Sequence, residues 1–248
     1  MPDDPDAIYA DARLAVLYDL FDGSRDDLDI YEEIIDELEA TRVLDLGCGT
    51  GALAIRLHAR GLEVVGVDPA GASIDVARAK PGGDAITWIV GDATHLDHSQ
   101  PAPFDLAVST GNAVQGIVAH EDWHGALTAL ATAIRPGGHL VFETRVPERR
   151  AWESWTPESS HQVGRTPDGA RVETWNEVIA VDLPLVTFET TFRFPDHTVL
   201  STSVLRFRSL DEITSDLDVA GFDVVDVRDA PDRPGLEWIF VARRRDLR

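Results

Sequence analysis

Four short stretches of the chain hold residues whose types and spacing suit ligand chemistry. The first is Asp45-Leu46-Gly47-Cys48-Gly49-Thr50-Gly51, where three alternating glycines let the backbone turn sharply and approach a ligand closely. Its Gly-x-Gly-x-Gly spacing is not the Gly-x-Gly-x-x-Gly of dinucleotide-binding turns. The second, Gly66-Val67-Asp68-Pro69, puts a carboxylate 21 residues after Gly47, where an acid can accept both hydroxyls of a ribose. The third is Gly91-Asp92-Ala93, and the fourth, Ser109-Thr110-Gly111-Asn112, is small and polar with no carboxylate. Any one of them could be a capped loop; all four in this order, on successive strand ends, go beyond coincidence. Candidates for proton transfer are fewer. His120 and His124 flank Glu121-Asp122-Trp123, and Glu143 and Arg145 stand close together. The plainer readings are a solvated helix start for the histidines and a local ion pair for Glu143 and Arg145.

These residues need elements to hold them. Residues 42–46 read as a strand running into the glycines, a helix follows to about Arg60, and Gly61 is its expected C-terminal cap. Further strands are expected at 63–67, 86–90, 104–109 and 139–144, with helices at about 71–80 and 121–134. Trp123, Leu127, Leu130 and Ile134 share one face of the latter, and Pro136-Gly137-Gly138 ends it. Strands alternating with helices imply parallel strands joined by right-handed crossovers. Ligands of such sheets bind beyond the carboxyl ends of the strands, where all four stretches fall. Ahead of the first strand, residues 6–20 (Ile8, Ala12, Ala15, Val16, Leu20) and 26–39 (Ile30, Ile34, Ile35, Leu38) are spaced as helices.

The second half changes pattern. Residues 171–181, 185–194 and 198–207 read as an antiparallel meander with turns at Asp182-Leu183-Pro184 and Pro195-Asp196-His197. Ser209 and Glu212 predict a capping box for a helix bearing Leu210, Ile213, Leu217 and Ala220, ended by Gly221. Strands at 222–228 and 236–242 close the chain. The expected fold is α/β: a doubly wound, mostly parallel, seven-stranded Rossmann-like sheet with helices on both faces and an inserted antiparallel β cap. One domain is expected over 1–248, made of a helical lid (1–40), a core (41–145), the cap (146–208) and a closing helix and strand pair (209–248).

Composition removes whole classes. A chain of 248 residues, 44% hydrophobic, buries roughly 70–75% of its unfolded surface and needs no staple. The single cysteine, Cys48, excludes a disulfide framework and any multi-cysteine zinc or iron–sulfur site, and no metal site is expected. No apolar run approaches the ~20 residues of a membrane span, and Met-Pro-Asp-Asp-Pro-Asp is the reverse of a basic signal start, so a cytoplasmic protein with no membrane partner is expected. Forty-four acids against 22 bases give a net charge of −22, which repels nucleic acid. The one lysine, Lys80, sits in Ala79-Lys80-Pro81 with Val76 four residues before it, which excludes a P-loop and a Tyr-x-x-x-Lys pair.

The chain resembles the class I S-adenosylmethionine-dependent methyltransferases through residues 43–51, Gly66-Val67-Asp68-Pro69, Gly91-Asp92-Ala93, and Leu140-Val141-Phe142-Glu143 after Arg135-Pro136-Gly137-Gly138. The resemblance is strong over about 40–145 and looser over the closing helix–strand–strand unit. It implies S-adenosylmethionine as cofactor and S-adenosylhomocysteine as product. It implies that Gly47, Cys48, Gly49, Thr50 and Gly51 pass under the methionine part, with Asp45 holding its amino group or ordering the loop. Asp68, followed by Pro69, would bind the ribose, and Asp92 with the Ala93 backbone the adenine. Ser109 and Thr110 would close over the methionyl side, and Tyr18 or Tyr9 would belong to an N-terminal lid.

Methyl transfer from a sulfonium is an in-line displacement that needs alignment more than a catalytic side chain, so His120, His124 and Glu143 stand only as candidate bases. Trp152, Trp155 and Trp175 could wall a pocket or simply pack. Cys48 lies inside the glycine loop, unlike a pyrimidine-methylating nucleophile. Ser109-Thr110-Gly111-Asn112 lacks both the Pro-Pro-Tyr of amino-methylating DNA enzymes and the aspartate of metal-dependent catechol-type members. A small-molecule acceptor methylated on N or O is the expectation, with the protein a monomer or a homodimer through the cap strands. A non-catalytic cofactor-binding or regulatory protein and an NAD-linked oxidoreductase are the alternatives.

Overall fold

Residues 6–20, spaced for one helix, form three single turns instead: α1 (Ala7–Ala10), α2 (Ala12–Ala15) and α3 (Tyr18–Asp22). The break is local. The Asp11 carboxylate accepts the Arg13 backbone N–H at 2.9 Å and holds the Arg13 guanidinium, so it caps a new turn where one helix would have continued. The buried face moves with it. Leu14, Ala15 and Leu17 are buried, while Val16 and Leu20 of the expected stripe are exposed. α4 (Asp29–Glu37), entered through a 3-10 turn at Asp26–Leu28, buries Ile34 and Ile35 as their spacing predicts, and Tyr31 besides.

The computed structural model describes residues 5–96 and 103–246; positions 1–4 of the expected lid and 247–248 of the closing segment lie outside the described residues. β1 (Arg42–Leu46) is buried at every position, as a strand covered on both faces must be. α5 (Ala52–Ala59), β2 (Glu63–Asp68), α6 (Gly71–Ala79), β3 (Thr87–Val90), β4 (Phe104–Ser109), α7 (His120–Ala133) and β5 (Ile134–Arg145) follow. β1 pairs in parallel with β2 and β4, β2 with β3, and β4 with β5. Alternate side chains serve the two faces: Val43, Val64, Leu106 and Val141 pack against α4, α5 and α6, while Leu44, Val65, Ala107 and Phe142 pack against α7. Burying each Val, Leu or Phe contributes roughly 1.5–3 kcal/mol, which makes this two-sided core the principal support of the strand ends. α7 stops at Ala133, and Ile134 is already extended (φ −82°, ψ 139°), so Arg135-Pro136-Gly137-Gly138 begins β5.

A second, antiparallel sheet follows. It comprises β6 (Gln162–Arg165), after the short helix α8 (Pro157–Ser160), then β7 (Arg171–Asp182), β8 (Leu185–Arg193) and β9 (Thr198–Arg206), in that spatial order. β7, β8 and β9 are the expected meander; β6 is an addition. A Cβ at Gly164 of β6 would meet Leu20 at 2.7 Å and Phe21 at 3.0 Å, so this strand lies directly against the lid. Leu14 and Leu17 of the lid pack with Val172 and Phe192 of the same sheet.

α9 (Leu210–Val219) returns the chain to the main sheet. Ser209 Oγ accepts the Glu212 N–H at 3.1 Å, but the Glu212 carboxylate pairs with Arg206, so only half of the expected capping box forms. β10 (Phe222–Asp229) and β11 (Glu237–Arg244) are antiparallel, and β11 adds antiparallel to β5. The complete order is β10–β11–β5–β4–β1–β2–β3. This is the expected doubly wound sheet with its separate antiparallel insertion. The strand order reverses between β1 and β4, and the crevice at their carboxyl ends is the ligand-binding place of such sheets.

Candidate functional site

The glycine turn enters that crevice. Gly47, Gly49 and Gly51 take φ of 69°, 51° and 77°. The Gly47 and Cys48 N–H groups donate to the Val67 carbonyl at 2.8 and 3.1 Å, pinning the turn to β2. A Cβ at Gly47 would sit 2.7 Å from Ala113, and one at Gly51 2.5 Å from Trp88, so packing forbids side chains there. A Cβ at Gly49 would meet nothing within 4 Å, which leaves this glycine facing open space. The Cys48 side chain packs inward beside Gly66, and burial pushes its thiol well up, so only its backbone is offered to a ligand.

Asp68 stands at the end of β2, 8% exposed. Its Oδ2 accepts the Gly49 N–H and its Oδ1 the Ala70 N–H, each at 2.8 Å. Each carboxylate oxygen retains acceptor capacity, so two acceptors are held side by side. Burial raises its pKa against those two bonds. Asp45, one strand over, is 1% exposed and neither of its oxygens makes a hydrogen bond. Burial pushes it up to about 7, against the approach of the Ala54 backbone N–H and with Asp68 adding to the rise. Asp92 caps the 3-10 turn Ala93–His95: its Oδ1 accepts the Thr94 N–H at 2.8 Å and approaches His95 Nδ1 at 3.0 Å. Burial opposes it, yet the bonds from Thr94 and His95 hold Asp92 below the usual carboxylate range. Val90 beside it is half exposed. Ala93 and Ser109 are buried, Thr110 is partly buried, and Pro69 is exposed.

The N-terminal segment is tied to this turn. The Thr50 hydroxyl donates to Asp19 Oδ1 at 2.6 Å, and the Lys80 ammonium pairs with the other oxygen of Asp19. Tyr18, partly buried, stacks obliquely on Tyr9 with ring centroids 5.7 Å apart. Burial pushes the Tyr9 phenol up to about 12, with Asp6 and Asp68 adding to it and Arg145 opposing. Of the two tyrosines, Tyr9 is the one whose charge environment includes Asp68.

A second polar group lies at the ends of β4, β5 and β11. Glu143, 7% exposed, accepts the Tyr31 hydroxyl and, at 3.0 Å, the Asn112 N–H. It does not pair with Arg145, contrary to the simplest reading of β5. Arg145 donates to Gln115 Oε1 at 2.9 Å, lies 3.6 Å from Glu237, and covers the Trp155 ring at 5.2 Å. Asn112, at φ 58°, donates through Nδ2 to Glu237 Oε1 at 3.0 Å, and Arg233 reaches the same oxygen at 2.8 Å. Burial first, and Glu237 second, raise the pKa of Glu143. Of the three cap tryptophans, Trp155 reaches this group; Trp152 packs on Phe207 and Trp175 lies against His161 and Arg193. Tyr31, Gln115 and Glu237 escaped the sequence reading, because each meets its partner only through the sheet. His120 and His124 lie on the side of α7 that faces α9, where His124 Nε2 is 3.2 Å from Asp216 Oδ1.

Residues 43–138 match the family model described as a methyltransferase domain. That segment of the chain is similar to methyltransferase domains. An uncharacterized methyltransferase of Mycobacterium tuberculosis is 35% identical over 137 residues, 53% of this chain and 50% of that protein. A ubiquinone biosynthesis O-methyltransferase of Idiomarina loihiensis is 32% identical over 144 residues, 57% of this chain and 58% of that one. The chain thus spans about half the length of the curated relatives it matches. The sugar N-methyltransferase of a Streptoalloteichus species shares the fold at a TM-score of 0.71 and 20% identity, covering 92% of this chain and 93% of that one. A SAM-bound amino pentose methyltransferase of Micromonospora echinaspora does so at 0.67 and 21%, covering 89% and 92%. The matched methyltransferase segment contains the glycine turn, Asp68, Asp92, Ser109 and Thr110. The lid, Glu143 and the antiparallel sheet lie outside it.

Proposed function

We propose that the protein is a methyltransferase that uses S-adenosylmethionine to methylate a small polar molecule on nitrogen or oxygen. The observation that carries the reading is the pairing of Asp68 with Gly49: two buried acceptor oxygens, fixed by backbone N–H groups, beside the one glycine of the turn that opens onto free space. The residues suit the cofactor at three further points. Asp45 is a buried carboxylate without a hydrogen-bond partner, suited to the methionyl ammonium. Val90 and the second oxygen of Asp92 suit the adenine face and its amino group. Ser109 and Thr110 close the turn from the β4 side.

Bound there, the cofactor supplies a methyl group on a positively charged sulfur, already activated for displacement. The chain's task is alignment, which is worth about 7–11 kcal/mol when a nucleophile is held in line. Tyr9 and Tyr18 place the lid over the turn, and Asp19 latches it through Thr50 and Lys80. Glu143 acts as a positioning residue: gripped by Tyr31, it holds the Asn112 turn that follows β4. Arg145, Gln115, Glu237 and Trp155 form the polar wall on the acceptor side. An amine arriving unprotonated needs no base, and neither His120 nor His124 faces the crevice. No helix among the described residues is long and apolar enough to cross a membrane. The acidic surface argues for an uncharged or cationic acceptor rather than a nucleic acid.

Calorimetry with S-adenosylhomocysteine and with NAD, followed by transfer of a labelled methyl group to a panel of amines, phenols and acids, tests this. Binding of the sulfur compound with transfer to at least one acceptor is expected. NAD binding without it would overturn the reading, and cofactor binding with no transfer across the panel would favour a regulatory protein.

A further inference from the structure

We propose that His120, His124 and Asp216 form a binding site for a divalent transition-metal ion, with zinc the best match to the donors. His120 and His124 stand four apart on α7, so both rings leave one helix face a turn apart. Their centroids are 4.2 Å apart, with the planes inclined at 68°. Asp216 comes from α9, and its Oδ1 is 3.2 Å from His124 Nε2. One donor atom from each residue lies within 4.8 Å of the other two, the one such grouping among the described residues. Zinc bonds of about 2.0–2.2 Å to nitrogen and oxygen place neighbouring tetrahedral donors roughly 3.3 Å apart, within reach of small rotamer shifts from this arrangement. Two imidazoles and a carboxylate leave a fourth position for water.

Two independent features point to a ligand rather than to packing. His124 Nε2 is buried and, despite its approach to Asp216, makes no hydrogen bond, a state that buried polar atoms rarely keep. Asp216 Oδ2 accepts the Trp123 indole N–H at 2.9 Å, which fixes the carboxylate plane and turns Oδ1 toward the histidines. Outer hydrogen bonds of this kind orient metal-binding carboxylates. Arg208, a neighbouring cation, lies 4.6 Å over the Trp123 ring and directs its two Nη groups to the Val114 and Ile117 carbonyls rather than to Asp216. His120 is exposed, so an ion can enter from solvent. A bound ion would join α7, inside the matched segment, to α9, which leads out of the antiparallel sheet.

The test uses the untagged full chain after chelator treatment. Titration with Co2+ should give the visible bands of a four-coordinate site at one equivalent, and Zn2+ should displace them and raise the Tm. His120→Ala, at an exposed position, and Asp216→Asn, which keeps an acceptor for Trp123, should each weaken binding roughly tenfold or more and abolish the Tm rise. The proposal is overturned by the absence of Co2+ and Zn2+ binding at submillimolar concentration, or by binding that neither substitution changes.

Discussion

Asp45 and Asp68 stand at the ends of successive strands and are both buried, yet two backbone N–H groups bond Asp68 at 2.8 Å while only the Ala54 N–H approaches Asp45, outside strict hydrogen-bond geometry. Removing the Asp68 acceptors should therefore act on the ligand. Asp68→Ala is expected to weaken S-adenosylhomocysteine binding by about 1.5–3 kcal/mol, read by calorimetry, and unchanged affinity would mean the ribose lies elsewhere. Asp45 carries a pH dependence instead. Its folded pKa of about 7 exceeds the ordinary 3.8, so between those values the folded chain keeps a proton that the unfolded chain has lost. Stability from this group falls as pH rises through that window. A methionyl ammonium docked on Asp45 needs the carboxylate charged, so cofactor affinity should rise with pH up to about 7, with proton release below it. Asp45→Asn should flatten that profile, and a slope that persists would belong to another group. The two aspartates and the glycine turn were legible as candidates because each stands within one or two positions of a strand end. The Tyr31–Glu143 and Asn112–Glu237 contacts join residues 112 and 125 apart, and no local spacing encodes such pairs.

At the level of elements, β1 and β4 match their expected bounds because each is a short apolar run between breakers. The lid failed as one helix because the Asp11 side chain competes for the backbone, and β6 went unseen because Gln162–Arg165 has no alternation and is ordered by β7 and the lid. Asp19 ties the N-terminal segment to Thr50 and Lys80, as a polar latch of the proposed lid would. Asp19→Ala should speed S-adenosylhomocysteine release several-fold and expose the N-terminal segment to limited proteolysis while changing stability by less than about 1 kcal/mol. Equal release rates would show that the latch does not govern access. Asp105 has the opposite character, joining β4 to the start of β1. It accepts the Thr41 and Arg42 N–H groups at 3.0 and 2.9 Å and Arg135 Nε at 2.7 Å. Burial opposes them, but these bonds hold its pKa far below the usual 3.8, so its contribution is complete above about pH 4 and is lost as pH falls toward the folded value. Asp105→Ala should cost about 1.5–3 kcal/mol in urea unfolding at neutral pH, and the difference should shrink in acid.

For the whole molecule, the insertion between β5 and α9 was visible as a change of period, whereas its seat against the lid depends on Leu14, Leu17, Val172 and Phe192 meeting across the chain. The net charge of −22 acts at this scale too, and it sets two effects against each other. Surface pairs such as Arg60 with Glu32 at 3.0 Å and Arg228 with Glu37 at 2.7 Å each contribute little and weaken with salt. Repulsion among 44 acids is spread over the surface, mostly at separations beyond the ~10 Å screening length of 0.1 M salt. Contacts near 3 Å lie well inside that length and are screened less than the distant repulsions. Salt should therefore remove more repulsion than attraction. Raising KCl from about 10 mM to about 0.5 M is expected to lift the Tm by several degrees, where each 1 kcal/mol corresponds to roughly 2–4 °C for a chain of this size. A fall in Tm over the same range would mean that the ion pairs outweigh the self-repulsion, and that the acid excess is compensated locally by its arginines.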